Sequence, residues 1–251
     1  MRIIQKWMYD NLLTINVEKS KLMVFTSYQN QINTGELRVM IADEEIEKVD
    51  SYKYLGIYLQ SNLKWNRHID SIISSSVGLT GALRRLNKCL PTPQLKAIYF
   101  AHVHSKLSYL CPIWGNAFHT HKLKELQVLQ NRAIRNILTT DYYVKKKNTQ
   151  QIRNEQGILS VQNMIKFESV LFFHKILHGT VKNNFTIRRR HDVHNYNTRM
   201  RDNIDLSRAR TDHSLSNVLN VGATIMNGLH QELRYETNLN KFKKRLKLTM
   251  V

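Results

Sequence analysis

Within twenty positions the chain carries two histidine pairs, His102-x-His104 and His119-x-His121, on either side of Cys111. Imidazole and thiolate are zinc donors, so this is the first place to look for a metal. Positions i and i+2 of a helix point to different faces, however, and the spacing matches no familiar ligand pattern. Surface or phosphate-facing histidines are the expectation. Carboxylates come next, because phosphoryl transfer on nucleic acid needs acids that hold two metal ions about 4 Å apart. Asp43, Glu44 and Glu45 are the densest acidic cluster, yet no second carboxylate strand pairs with them, and no adjacent Asp pair occurs. A G-x-S-x-G elbow, a G-x-G dinucleotide turn and a Gly-rich phosphate loop are all missing. These observations predict no catalytic residue, no metal ligand and no cofactor held by this chain.

The basic residues are the stronger signal. Lys64, Arg67, Arg84, Arg85 and Lys88 surround the Trp65 to Lys88 segment, Arg132 and Arg135 close a later helical stretch, and Lys145, Lys146 and Lys147 follow as a run. One exposed lysine is ordinary; together these positions form a candidate nucleic-acid-binding set. Tyr142 and Tyr143, interleaved with them, have the planar faces that stack on bases or sugars, and core packing serves them equally well.

The elements that must position these side chains are legible from periodicity. Ile3, Ile4, Trp7, Met8 and Leu12 fall at helical spacing, which predicts an amphipathic helix over Met1 to Leu13. Leu22 to Thr26, Leu37 to Ile41 and Tyr52 to Leu59 read as strands, with an acidic hairpin tip and short strand over Ala42 to Asp50. From Trp65 the period becomes helical: Ile69, Ile72, Ile73, Val77, Leu79, Leu83 and Leu86 predict a helix that ends near Pro91. Further helices are expected over Gln94 to Leu107, His121 to Leu138 and Val161 to His178, with a turn at Pro112 to Gly115. Asn183 to Asp212 is polar, Arg-rich and without a period, so it reads as extended or weakly ordered. A short basic helix closes the chain near Asn240 to Leu248, with Phe242, Leu246 and Leu248 as its narrow apolar stripe. The fold class is therefore α+β: small antiparallel β hairpins at the N-terminus, then a mainly α-helical bundle, then a basic, partly disordered tail.

Composition bounds what such a protein meets. The 251 residues include 38 Lys+Arg against 19 Asp+Glu, a formal net charge of +19. Residues 1–50 hold six basic against eight acidic side chains, whereas residues 51–251 hold thirty-two against eleven. A field of that size draws polyanions. Lys and Arg are spread through many apolar-periodic segments instead of one amphipathic basic helix, which favours nucleic acid over anionic lipid. No apolar run approaches the roughly 20 residues of a membrane span, so no membrane partner is expected. Cys89 and Cys111 stand too far apart for a CxxC, which excludes a disulfide scaffold. The expected location is intracellular, cytoplasmic or nuclear.

An ordered set of motifs carries a resemblance. Trp7…Asn11-x-Leu13…Asn16-x-x-Lys19-Ser20-Lys21-x-Met23-x-Phe25, then Tyr54-Leu55-Gly56-Ile57, then Leu63-x-Trp65-x-x-His68-Ile69 resembles the end of the palm in non-LTR retrotransposon reverse transcriptases, particularly the jockey-like group. Tyr99…Tyr109…Trp114-Gly115, Leu126-x-x-Leu129-Gln130-Asn131-Arg132-Ala133-Ile134-Arg135, and the stretch from His194-Asn195-Tyr196-Asn197-Thr198-Arg199 through Phe242-Lys243-Lys244-Arg245-Leu246-Lys247 look like the thumb and C-terminal region of the same polyproteins.

The resemblance implies roles. Lys19 or Lys21 would lie near the incoming nucleotide, and Tyr54, Leu55 and Gly56 would belong to a hairpin that holds the primer terminus. It also implies an organisation: residues 1–62 as a palm remnant, 63–180 as a helical thumb-like domain and 181–251 as a basic C-terminal region. In the intact family enzyme the aspartates that bind Mg²⁺ lie upstream, in a palm strand and an aromatic-x-Asp-Asp turn, and this chain is expected to start after both. The implied partners are the backbone of an RNA–DNA or DNA duplex and the missing upstream polymerase region. Two other readings stand beside this one: a nucleic-acid-binding subunit that completes a split polymerase, and a relict with no selected activity.

Overall fold

A computed structural model describes residues 2–25, 37–41, 44–116, 120–138, 147–182, 184–206 and 210–250. The architecture is α+β, with two small antiparallel hairpins near the N-terminus followed by a helical bundle. Two compact units divide the chain, Met1–Asp70 and Ser71–Val251.

In the first unit, helix α1 (Arg2–Asp10) forms where the apolar spacing placed it. It ends in a Schellman-type cap: Leu13 N–H donates to Met8 C=O, and Leu12 takes the left-handed position at φ +56°. Its apolar face is uncovered, with Ile3, Ile4, Trp7 and Leu12 all exposed. Strands β1 (Met40–Ile41) and β2 (Glu44–Glu45) pair antiparallel, Met40 opposite Glu45. The run over Tyr52 to Leu59, strand by its composition and a hairpin by the resemblance, is a hairpin of β3 (Ser51–Tyr54) and β4 (Ile57–Gln60). Its two-residue turn is Leu55-Gly56, with φ +46° and +85°, the positive values of a type I′ turn. Of the strand expected over Leu22 to Thr26, the described residues show a single parallel bridge between Leu22 and Lys48, and Thr26 lies outside them. Ile41, Ile46, Ile57, Trp65 and Ile69 are the buried apolar residues among those described in this unit.

Helix α2 (Asn66–Leu86) carries the chain into the second unit. Helix α3 (Thr92–Tyr99) begins with Pro93 in its first turn, as the sequence suggested. It continues through a π-helical segment, Phe100–His104, into α4 (Ser105–Ser108). The expected turn at Pro112 to Gly115 is a single helical turn, α5 (Cys111–Trp114), entered through Leu110 in the left-handed region. Trp114 closes it by donating its indole N–H to Tyr109 C=O at 2.9 Å. Then follow α6 (Thr120–Leu138), α7 (Thr149–Glu155) and α8 (Val161–Leu177).

Helix α8 is apolar on nearly every face, and that makes it the centre of the unit. Met164, Ile165, Phe167, Val170, Leu171, Phe173 and Ile176 are all buried, each worth about 1.5–3 kcal/mol of transfer free energy. Around it pack α5, α6, α11 (Val218–Gly228) and α13 (Leu239–Met250). The α8–α11 approach is close because residue 222 is glycine. A Cβ there would stand 2.5 Å from the Cβ of Phe173.

Between these helices, α9 (Arg190–Val193) and a bridge of Arg189 with Ile204 are the regular structure among the described residues of the Arg-rich stretch. Helices α10 (Asp212–Leu215) and α12 (Gln231–Arg234) are short. The terminal helix buries Phe242 and Leu246, but Leu248, expected in the same stripe, is 76% exposed. From Leu246 it sits two positions on, across the helix from the buried pair.

Candidate nucleic-acid interface

The β3–β4 hairpin shows how the first unit holds its cations. Opposite pairs share a face, so Ser51, Lys53, Tyr58 and Gln60 line one side of the ribbon. Arg67, one residue inside α2, reaches that face. Its guanidinium lies over the Tyr58 ring at 5.0 Å and donates to Ser51 Oγ at 2.6 Å, while its backbone N–H donates to Gln60 Oε1 at 3.1 Å. Lys53 Nζ approaches the same ring at 5.6 Å. Arg67 therefore fastens helix to hairpin. Lys21 forms an ion pair with Glu47, and Lys19 caps its turn by donating its backbone N–H to Asn16 Oδ1. Tyr54 and Leu55 are exposed at the hairpin tip, with Leu55 71% accessible in a left-handed conformation that costs a non-glycine residue about 1 kcal/mol. Lys64 is exposed between hairpin and helix.

The Lys53–Tyr58 pair was not singled out from the sequence. Its signal was the even spacing of 51, 53, 58 and 60, which becomes visible only once the turn is placed at Leu55-Gly56.

In the second unit two asparagines join the C-terminal ends of α2 and α6. Asn87 donates to Asn136 C=O at 2.8 Å, and Asn136 donates to Thr80 C=O at 2.7 Å. The junction brings Arg84, Arg85 and Lys88 to the same end of the unit as Arg132 and Arg135. Arg84 and Arg85 stand in the last turn of α2 and Arg135 in the last turn of α6, where the helix dipole favours positive charge. Their availability differs. Arg135 donates to Thr149 Oγ1 at 2.8 Å and to Lys147 C=O, which ties α6 to the start of α7. Lys147 pairs with Glu155 at 2.6 Å. Arg84, Arg85, Lys88 and Arg132 are exposed, and no carboxylate pairs with them among the described residues. Lys145, Lys146, Tyr142 and Tyr143 lie outside the described residues.

Beneath this surface the Gln130-Asn131 part of the α6 motif forms a buried polar network. Gln130, with no accessible surface, donates to Leu159 C=O at 3.0 Å and to Tyr99 Oη at 3.3 Å, and accepts from Gln127 at 2.8 Å. Asn131 Oδ1 accepts from Gln127 and from Arg153, at 2.8 and 3.2 Å. Burial pushes the Tyr99 phenol up to about 12, against the pull of Gln130 and Arg153. Leu126, Leu129, Ala133 and Ile134 of the same motif are buried as well. The motif is thus mostly a packing device that presents Arg132 to solvent.

Among the described residues no group of three or more His, Cys, Asp or Glu is placed to hold a metal, and His119 lies outside them. Cys111 is fully buried and its thiol pKa is raised, chiefly by that burial. His104 is lowered by burial and by Lys247, and packs edge-on to Phe100 at 5.1 Å. Nearby, α13 contributes exposed Lys241, Lys243, Lys244 and Lys247, while Arg245 is held by Glu232 at 2.7 Å. No helix among the described residues is long and apolar enough to cross a membrane.

A small hairpin pair joined to a basic helical unit, with cations exposed at the junction of two helices, is the class of protein that fold and surface define. Comparison with known proteins gives it a relative. Over 148 residues, 57% of this chain, the sequence is 29% identical to the RNA-directed DNA polymerase from mobile element jockey of Drosophila funebris. The stretch spans 16% of that polymerase's length. This similarity supports a relationship to the reverse transcriptases of non-LTR transposable elements. None of the family models searched matches, and no solved structure matches significantly.

Proposed function

We propose that this chain is a C-terminal portion of a non-LTR retrotransposon reverse transcriptase and that it grips template–primer duplex through backbone phosphates, without reading sequence. In this reading residues 1–62 are the end of the palm, 63–180 the thumb-like region and 181–251 a basic C-terminal region. The metal-binding aspartates and their Mg²⁺ belong to polymerase sequence outside this chain. The observation that carries the reading is the group of exposed cations Arg84, Arg85, Lys88 and Arg132 at one end of the helical unit, which no carboxylate among the described residues pairs, together with the similarity to a jockey polymerase. The exposed apolar face of α1 favours an upstream polymerase region as a protein partner.

Fluorescence anisotropy with an RNA–DNA duplex, titrated at increasing salt, tests the grip. Binding that weakens steeply and linearly on a log–log plot is expected. A salt-independent affinity, or no binding at low salt, would refute it. Primer extension with Mg²⁺ by the isolated chain is expected to give no product; extension would overturn the assignment of the aspartates to sequence outside the chain.

A further inference from the structure

A pocket of about 320 Å³ opens between α6, α7 and the start of α8, lined by Lys124, Gln127, Arg153, Ser160 and Gln162 with Leu123 and Val161. Its lining holds two cations and no carboxylate. Arg153 is only partly satisfied: one terminal nitrogen donates to Asn131, whereas Nε is buried and has no hydrogen-bond partner among the described residues. Desolvation disfavours its charged form, and no anion among the lining residues offsets that cost. The donors around it are in place. Ser160 Oγ already accepts from Asn163 N–H at 3.1 Å, so its hydroxyl proton is free to donate elsewhere. Val161 N–H is taken by Gln127 at 2.8 Å and Asn163 N–H by Ser160, which among the described residues leaves Gln162 N–H open at the head of a seventeen-residue helix.

From this arrangement we infer that the pocket between α6, α7 and α8 binds a phosphate group, with the Arg153 guanidinium and Lys124 ammonium on its oxygens and Ser160 Oγ and Gln162 N–H closing the cradle. A phosphate fits this set better than a carboxylate. Two cations match its double charge, and three terminal oxygens use donors that two would leave idle. The phosphate comes from one of two sources, a nucleic-acid backbone or a free phosphate-bearing small molecule. The inference rests on the pocket alone, so it survives if duplex binding fails.

Isothermal titration of the full chain with pyrophosphate at low salt tests it, with Lys124→Gln and Arg153→Gln set against Lys182→Gln, an exposed residue outside the pocket that carries the same charge change. Saturable binding is expected, weakened about tenfold or more by either pocket variant and little by Lys182→Gln, because each removes a charge-assisted contact. Lys124 is exposed, so its variant keeps the test decisive if Arg153→Gln, which also loses Asn131, fails to fold. If Lys124→Gln also weakens binding of a labelled single-stranded oligonucleotide more than Lys182→Gln does, the source is a nucleic-acid backbone. If oligonucleotide affinity is unchanged, the ligand is a small phosphate compound. Non-saturable pyrophosphate binding, or equal affinities for Lys124→Gln and Lys182→Gln, would overturn the inference.

Discussion

Replacing Gln130 by leucine separates packing from polar satisfaction at the heart of the α6 motif. The two side chains have similar volume, so the change leaves little cavity and acts through hydrogen bonds. It strands two buried acceptors, Leu159 C=O and Tyr99 Oη, while Gln127 keeps Asn131 as a partner. Each stranded group costs about 1–3 kcal/mol, about 4 together, and the added apolar surface returns about 1. A net loss of about 3 kcal/mol corresponds to a fall in Tm of about 6–12 °C for a unit of this size. Urea titration and calorimetry of the full chain read it. Tyr99→Phe alone should cost about 1 kcal/mol, and because it removes the partner of the same bond, the double variant should be less destabilised than the two singles added. A Gln130→Leu protein within about 0.5 kcal/mol of wild type, or strict additivity with Tyr99→Phe, would refute the network.

Two other outcomes follow from local geometry. Gly222→Ala should destabilise the protein by about 1–3 kcal/mol in urea denaturation, since its Cβ meets Phe173 at 2.5 Å, whereas Gly228→Ala, with open space around it, should be neutral or stabilising. His68 is held down to about 4, first by burial and second by Lys53. A group lowered on folding contributes stability that is present above its unfolded value near 6.5 and is lost as pH falls through 4, so residues 1–70 should weaken across that window. Proton NMR of the His68 ring checks this, and a titration midpoint near 6.5 would contradict it.

Periodicity exposed most of the helical unit and little of its detail. The long runs at Trp65, His121 and Val161 were legible because the faces they bury repeat at helical spacing. Helix α7 was not, since Ile152 is its one buried apolar residue; an Asn148–Gln151 capping box starts it instead. Helix α11 was obscured by Gly222, a poor helix former in isolation and the residue that lets Phe173 approach. The β3–β4 turn was visible through the resemblance and not through composition, because leucine seldom occupies a positive-φ turn position. The cations were countable, but which of them remain free depends on contacts distant in sequence: Lys21 with Glu47, Arg67 with Ser51, Arg135 with Thr149, Lys147 with Glu155. Four of the exposed candidates in the helical unit survive that selection.

Those four carry the central claim. Wild type and the variant with Arg84, Arg85, Lys88 and Arg132 all changed to glutamine should be compared for RNA–DNA duplex affinity across a salt series. If the four contact phosphates, at about 0.9 per contact the log–log slope should flatten by about 3.6 in the variant. An unchanged slope with the fold intact would contradict the account.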